Sequence, residues 1–96
     1  MNNKRISYDN KMLIRINSRK VNNIIKNYKK YIGLTIYMAP VNMRIETGEY
    51  WTQPFEMQID EYNDYIDYIN YINEVTYYNC NYNELGKYLK FYIEQQ

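Results

Sequence analysis

KMLIRINSRKVNNIIKNYKKYIG, residues 11–33, changes its apolar period partway along, and that change sets the fold class. In its first seven residues Met12, Ile14 and Ile16 alternate, with Leu13 also apolar and Arg15 polar, the pattern of a strand buried mainly on one face. Ser18 is a favourable N-cap. From there Val21, Ile24, Ile25, Tyr28, Tyr31 and Ile32 recur three and four apart as far as Gly33, which suits an amphipathic helix closed by a glycine. The outer side of this helix carries Arg19, Lys20, Lys26, Lys29 and Lys30 with no acid among them.

Downstream, Leu34, Ile36 and Met38 alternate as a second strand. After Ala39 and Pro40 the apolar positions become Val41, Met43 and Ile45, so the parity flips. Proline lacks a ladder donor and belongs at edges and bulges, so a bulge or bend is expected near Pro40. Thr47 and Gly48 form a plausible tight turn into a third strand bearing Trp51, Phe55, Met57 and Ile59. That turn pairs Ile45 with Tyr50, Met38 with Met57 and Ile36 with Ile59. Near the tip, either a bulge restores the register or Met43, Ile45, Tyr50 and Trp51 make a projecting contact surface.

Asp60 is the expected cap of a second helix running to about Asn73, with Tyr62, Tyr65, Ile66, Ile69 and Ile72 as its buried stripe. Glu74 to Asn79, with Val75, Tyr77 and Tyr78, reads as a short fourth strand. Asn81 with Glu84 offers a capping pair for a last helix carrying Leu85, Tyr88, Leu89, Tyr92 and Ile93. The succession predicts an α+β fold, a ferredoxin-like βαββαβ antiparallel sheet covered on one face, with an added C-terminal helix.

The 96 residues suffice for one domain, residues 1–10 being expected as a flexible basic leader. Apolar residues make up 46% and aromatics 18%, too many for a disordered chain. Fourteen Tyr and fourteen Asn fit A/T-rich coding, so no single Tyr is read as selected for binding. One cysteine, Cys80, and no histidine exclude an internal disulfide, a zinc quartet and a Cys–His pair. No segment has the apolar length of a signal peptide or membrane span, so a cytoplasmic location is expected.

Without histidine, acid–base or nucleophilic catalysis would rest on carboxylates, Tyr, Lys or Cys80, and none has an evident partner. The three glycines stand apart and form no phosphate loop. Asp60, Asp64 and Asp67 share one helical side, but oxygen-ligated metal sites use irregular backbone and closely alternating ligands. The expectation is a binding protein with no catalytic site, no cofactor and no metal.

Charge is divided along the chain. Residues 1–44 hold ten Lys or Arg and one acid, whereas residues 45–96 hold two Lys and ten acids. Between Glu46 and Glu84 there are nine acids and no basic residue. On a helical wheel Asp60, Asp64, Asp67, Tyr71 and Glu74 gather opposite the apolar stripe, flanked by Glu61 and Tyr68. Such a face suits a groove lined by Arg and Lys, through charge-assisted hydrogen bonds and cation–π contacts. The acidic segment in a small Asn- and Tyr-rich chain resembles, in overall character, phage-encoded inhibitors of host defence, including anti-CRISPR proteins. That resemblance implies a host protein or ribonucleoprotein complex with a basic nucleic-acid groove as partner. The alternatives are nucleic-acid binding through Arg15, Arg19, Lys20, Lys26, Lys29 and Lys30, and a homodimer in which basic and acidic surfaces meet.

Overall fold

In the computed structural model residues 5–41, 54–76 and 85–95 are described. They form a small α+β fold with a five-stranded, open antiparallel sheet. The strands are β1 (Arg5–Tyr8), β2 (Lys11–Ile16), β3 (Thr35–Pro40), β4 (Phe55–Gln58) and β5 (Leu89–Glu94), in spatial order β1-β2-β5-β3-β4. Helix α1 (Ser18–Lys26) leads into a 3-10 turn (Tyr28–Lys30), and helix α2 (Tyr65–Thr76) comes after β4.

The expected strand, helix, strand, strand, helix order is present from β2 to α2. Beyond α2 the chain departs from it. The expected C-terminal helix is only one turn, Leu85–Tyr88, after which residues 89–94 form β5 at the centre of the sheet, between β2 and β3. LKFYIE satisfies two periods at once: Leu89, Tyr92 and Ile93 suit a helix, and Leu89, Phe91 and Ile93 suit a strand. The strand prevails because a central position buries both faces, and the consecutive residues Leu89, Lys90, Phe91 and Tyr92 are all buried. Residues 74–76 of the expected fourth strand are the end of α2. Residues 77–79, Cys80 and the Asn81–Glu84 pair lie outside the described residues.

The leader is also corrected, because residues 5–8 are an edge strand. Tyr8 and Lys11 are paired across Asp9 and Asn10, whose φ angles of 52° and 63° make a two-residue turn of the primed type. Asp and Asn are the non-glycine residues that best tolerate this left-handed backbone.

Both sheet faces bury side chains. On one, Ile36, Met38, Met57, Leu89 and Phe91 pack with Val21, Ile24 and Ile25 of α1 and Tyr68 and Ile72 of α2. On the other, Ile6, Leu13, Tyr37, Ala39 and Tyr92 form a second core with Tyr8 against it. The edge strand β1 helps close that second face. β1 lies three strand positions from β3, about 14 Å in a flat sheet, and the long Tyr8 and Tyr37 side chains bridge that distance, their rings 6.1 Å apart. Leu13, not the Met12–Ile14–Ile16 set, is therefore the fully buried residue of β2, and Met12 is exposed.

β3 and β4 pair with Ile36 opposite Met57 and Met38 opposite Phe55, two residues from the expected register. A shift of two leaves every side chain on its expected face. Ile59 leaves the ladder, its N–H donating to the Leu34 carbonyl and its carbonyl accepting from the Gly33 N–H. Pro40 ends β3 opposite Leu89, and the next N–H, that of Val41, donates to the Tyr88 carbonyl. The missing proline donor thus faces the β4 side, beyond the last β3–β4 pair. The hairpin tip with Met43, Ile45, Tyr50 and Trp51 lies outside the described residues.

Truncation separates buried from exposed apolar residues. Phe91→Ala is expected to cost about 3–5 kcal/mol in denaturant unfolding, and Ile66→Ala no more than about 0.5 kcal/mol.

Candidate interaction surface

The acidic segment folds as a cap followed by a helix. Asp60 accepts through Oδ1 from the backbone N–H groups of Tyr62 and Asn63, at 2.9 and 3.2 Å, and both its oxygens meet Asn63 Nδ2. Asp64 and Asp67 then cap reciprocally. Asp64 Oδ1 accepts from the Asp67 N–H at 3.0 Å, and Asp67 Oδ2 from the Asp64 N–H at 3.1 Å. This is a capping box built from two aspartates, and both carboxylates favour the positive end of α2.

Because α2 begins at Tyr65 and not at Asp60, the expected buried stripe is wrong on one side. Tyr62 precedes the helix and is 83% exposed, and Ile66 is 60% exposed. Tyr68, expected on the exposed acidic face, is instead in the core at 2% exposure. Its hydroxyl accepts from the Asp60 N–H at 2.7 Å and donates to the Asp60 carbonyl at 3.1 Å, and its ring lies 6.4 Å from that of Tyr28. Turning Tyr68 inward satisfies two backbone groups of the turn before the helix, which an isoleucine there cannot do.

The remaining acidic residues stay at the surface. Glu61, Asp64, Asp67 and Glu74 are exposed and Asp60 is half-buried. Tyr71 is at the margin, its hydroxyl donating to the Glu56 carbonyl of β4 at 3.2 Å. A groove of about 340 Å³ between α2 and β4 is bordered by Glu56, Asp60, Asp67 and Tyr71. Among the described residues no three His, Cys, Asp or Glu side chains are placed to share a metal ion. The capping geometry accounts for the spacing of Asp60, Asp64 and Asp67.

The basic residues do not form one surface. Arg15 projects from the sheet face opposite the helices, its guanidinium 5.8 Å from the centre of the Tyr92 ring. Arg19, Lys20, Lys26, Lys29 and Lys30 are exposed along α1 and the 3-10 turn. The Lys26 ammonium is 5.6 Å from the Tyr65 ring of α2, and the Lys20 ammonium 6.0 Å from the Tyr31 ring. α1 and α2 lie side by side, Tyr65 donating to Asn22 Oδ1 at 3.5 Å. The basic turn and the acidic loop meet at one end of the sheet, joined by the Gly33–Ile59 and Ile59–Leu34 backbone hydrogen bonds.

Sequence reasoning missed the exposed apolar set: Tyr62 and Ile66, with Ile32 at 52% on the neighbouring loop. The Asp64-x-x-Asp67 spacing was the available signal, since it marks a helix start four residues after Asp60. Among the described residues no helix is long and apolar enough to cross a membrane. Comparison with protein-family models, curated proteins and solved structures finds no match to this chain.

Burial raises the Tyr68 hydroxyl above the usual tyrosine pKa, and the Asp60 charge adds to it, partly offset by the backbone hydrogen bond. A raised pKa means the folded state holds this proton more tightly than the unfolded chain. Stability from Tyr68 is therefore fully present below the ordinary tyrosine pKa and is lost as pH rises through the raised value. Tyr68→Phe is expected to lower stability by about 1–2 kcal/mol at neutral pH. The same variant should show a shallower alkaline loss of stability than wild type, measured by denaturant midpoints against pH.

Proposed function

We propose that this chain acts by binding and not by catalysis, as an inhibitor whose acidic patch seats on the basic groove of a nucleic-acid-handling complex. The observation that carries the reading is the pairing of Tyr62 and Ile66, 83% and 60% exposed, with the exposed carboxylates Glu61, Asp64 and Asp67. Protein interfaces concentrate their energy in a few apolar or aromatic anchors surrounded by polar groups. Carboxylates at the rim raise encounter rates with a basic surface and select against acidic ones. A phage or other mobile-element origin, and a role like that of anti-CRISPR proteins, belong to the same proposal and rest on the overall character of the sequence.

The reading is checked by titrating the protein against purified nucleic-acid-handling complexes and measuring how much labelled nucleic acid each still binds. Wild type should displace nucleic acid from at least one, and Tyr62→Ala with Ile66→Ala should weaken this by roughly 30-fold. Replacing Glu61 by Gln and Asp64 and Asp67 by Asn removes charge while keeping side-chain acceptors for the caps. That variant should lose more inhibition at low salt than at high salt. Undiminished inhibition by both variants would sink the acidic-patch mechanism.

A further inference from the structure

The end of the molecule that carries the acidic patch also carries its complement. On the β2 side of α1 a groove of about 660 Å³ has an apolar floor of Ile14, Ile24, Leu34 and Ile93, with Lys20 and Lys30 on its walls. Exposed Ile32 also lines it, and Glu94 is its one carboxylate. We propose that the occupant of this groove is a second copy of the chain, presenting Tyr62 and Ile66 to the apolar floor and Asp64 and Asp67 to the lysines. Such pairing rests on the same patch as the proposed function, now given an additional partner.

Three observations support a closed pair. First, the patch and the groove lie at one end of the sheet, because the Gly33–Leu34 backbone is hydrogen-bonded to Ile59 immediately before the acidic loop. A two-fold axis through that end sets each patch against the other copy's groove, an arrangement that closes at two copies and leaves no open chain.

Second, Lys20 of the groove is turned away from the chain's own acidic helix. Val21, Ile24 and Ile25 point into the core, so at 100° per residue Asn22 and Lys26 fall on the flank facing α2 and Lys20 on the opposite one. The contacts agree: Asn22 and Lys26 meet Tyr65 of α2, and Lys20 meets Tyr31 beside the groove.

Third, the complementarity is apolar as well as electrostatic. Ile32, Tyr62 and Ile66 are among the large apolar side chains exposed at this end, and isologous burial removes all three from water at both contacts.

Sedimentation equilibrium and light scattering over a concentration series test the proposal. The expected result is a monomer–dimer equilibrium that weakens as salt is raised. Lys20→Glu with Lys30→Glu should raise the dissociation constant by at least about tenfold, as should Tyr62→Lys with Ile66→Lys. All four positions are exposed, and circular dichroism checks that each variant folds. Mixing the two variants is the decisive arm. Each reversed groove then faces a reversed patch and each native groove a native patch, so a heterodimer should form where neither variant pairs with itself.

A strict monomer at the highest soluble concentration in low salt overturns the proposal, as does a dimer indifferent to both reversals. A monomer whose groove shifts single-stranded nucleic acid in a gel, with the shift lost in Lys20→Glu and Lys30→Glu, also overturns it in favour of phosphate binding. The groove variant retains the native patch. If it still displaces nucleic acid from a target complex although no dimer forms, the inhibitor reading stands and only the pairing fails.

Discussion

Phe91 and Tyr92 are consecutive residues buried on opposite faces of the sheet, Phe91 toward the helices and Tyr92 toward the second core. The rest of the structure depends on the strand that holds them. β5 is hydrogen-bonded to β2 on one side and β3 on the other. Without it the sheet falls into two hairpins, β1–β2 and β3–β4, and an isolated hairpin is at best marginally stable. The sheet is therefore complete only when the last described strand has reached the centre, a topology of long-range contacts that favours slow folding.

That placement also explains the charged residues on the face opposite the helices. A sheet with helices on one face only would leave Tyr37 and Tyr92 open to water. Here Ile6 and Tyr8 of β1 pack against that face, and long basic side chains complete the cover. Lys11 donates to the Tyr37 hydroxyl at 3.3 Å and lies 5.8 Å from its ring, and Arg15 lies over Tyr92. Such side chains shield aromatic surface with their alkyl stems while keeping the charge in solvent. Lys11, held in its charged form chiefly by the hydrogen bond and charge of Tyr37, with smaller help from Asp9 and Glu56, is better understood as part of this cover than as part of a phosphate site.

How much was legible depends on how many masters each segment serves. α1, β4 and α2 each have one buried face, so one period dominates and the sequence discloses them; β2 and β3 contribute to both cores, and their Ile and Met alternation marks them as strands without marking the second face. LKFYIE carries both periods, and only the demand of β2 and β3 for a shared neighbour decides between them. Asp9–Asn10 lacks the glycine that usually advertises a primed turn, so β1 passed for a leader. The acidic surface was legible as composition but not as geometry. Counting Tyr62 as helical pulled the inferred stripe toward Ile66, whereas the wheel that starts at Tyr65 centres on Tyr68 and Ile72, which are buried.

The division of charge along the chain becomes, in space, a contrast between neighbouring helices. Adjacency alone does not cancel it, because exposed pairs are worth about 0–1 kcal/mol and fields between surface charges decay over about 10 Å. Lys26 spends its proximity to α2 on the Tyr65 ring, and Lys20 faces away from α2. Charge of this kind steers an encounter without fixing its geometry. Geometry has to come from the side chains that gain by leaving water, and at this end of the molecule those include Ile32, Tyr62 and Ile66. A surface that combines both signs of charge with apolar anchors is selective by position: a partner matching only the acidic half leaves the groove lysines solvated, and one matching only the basic half leaves Tyr62 and Ile66 in water. Full complementarity requires a partner that presents both halves, which is what the proposed pairing of two copies supplies.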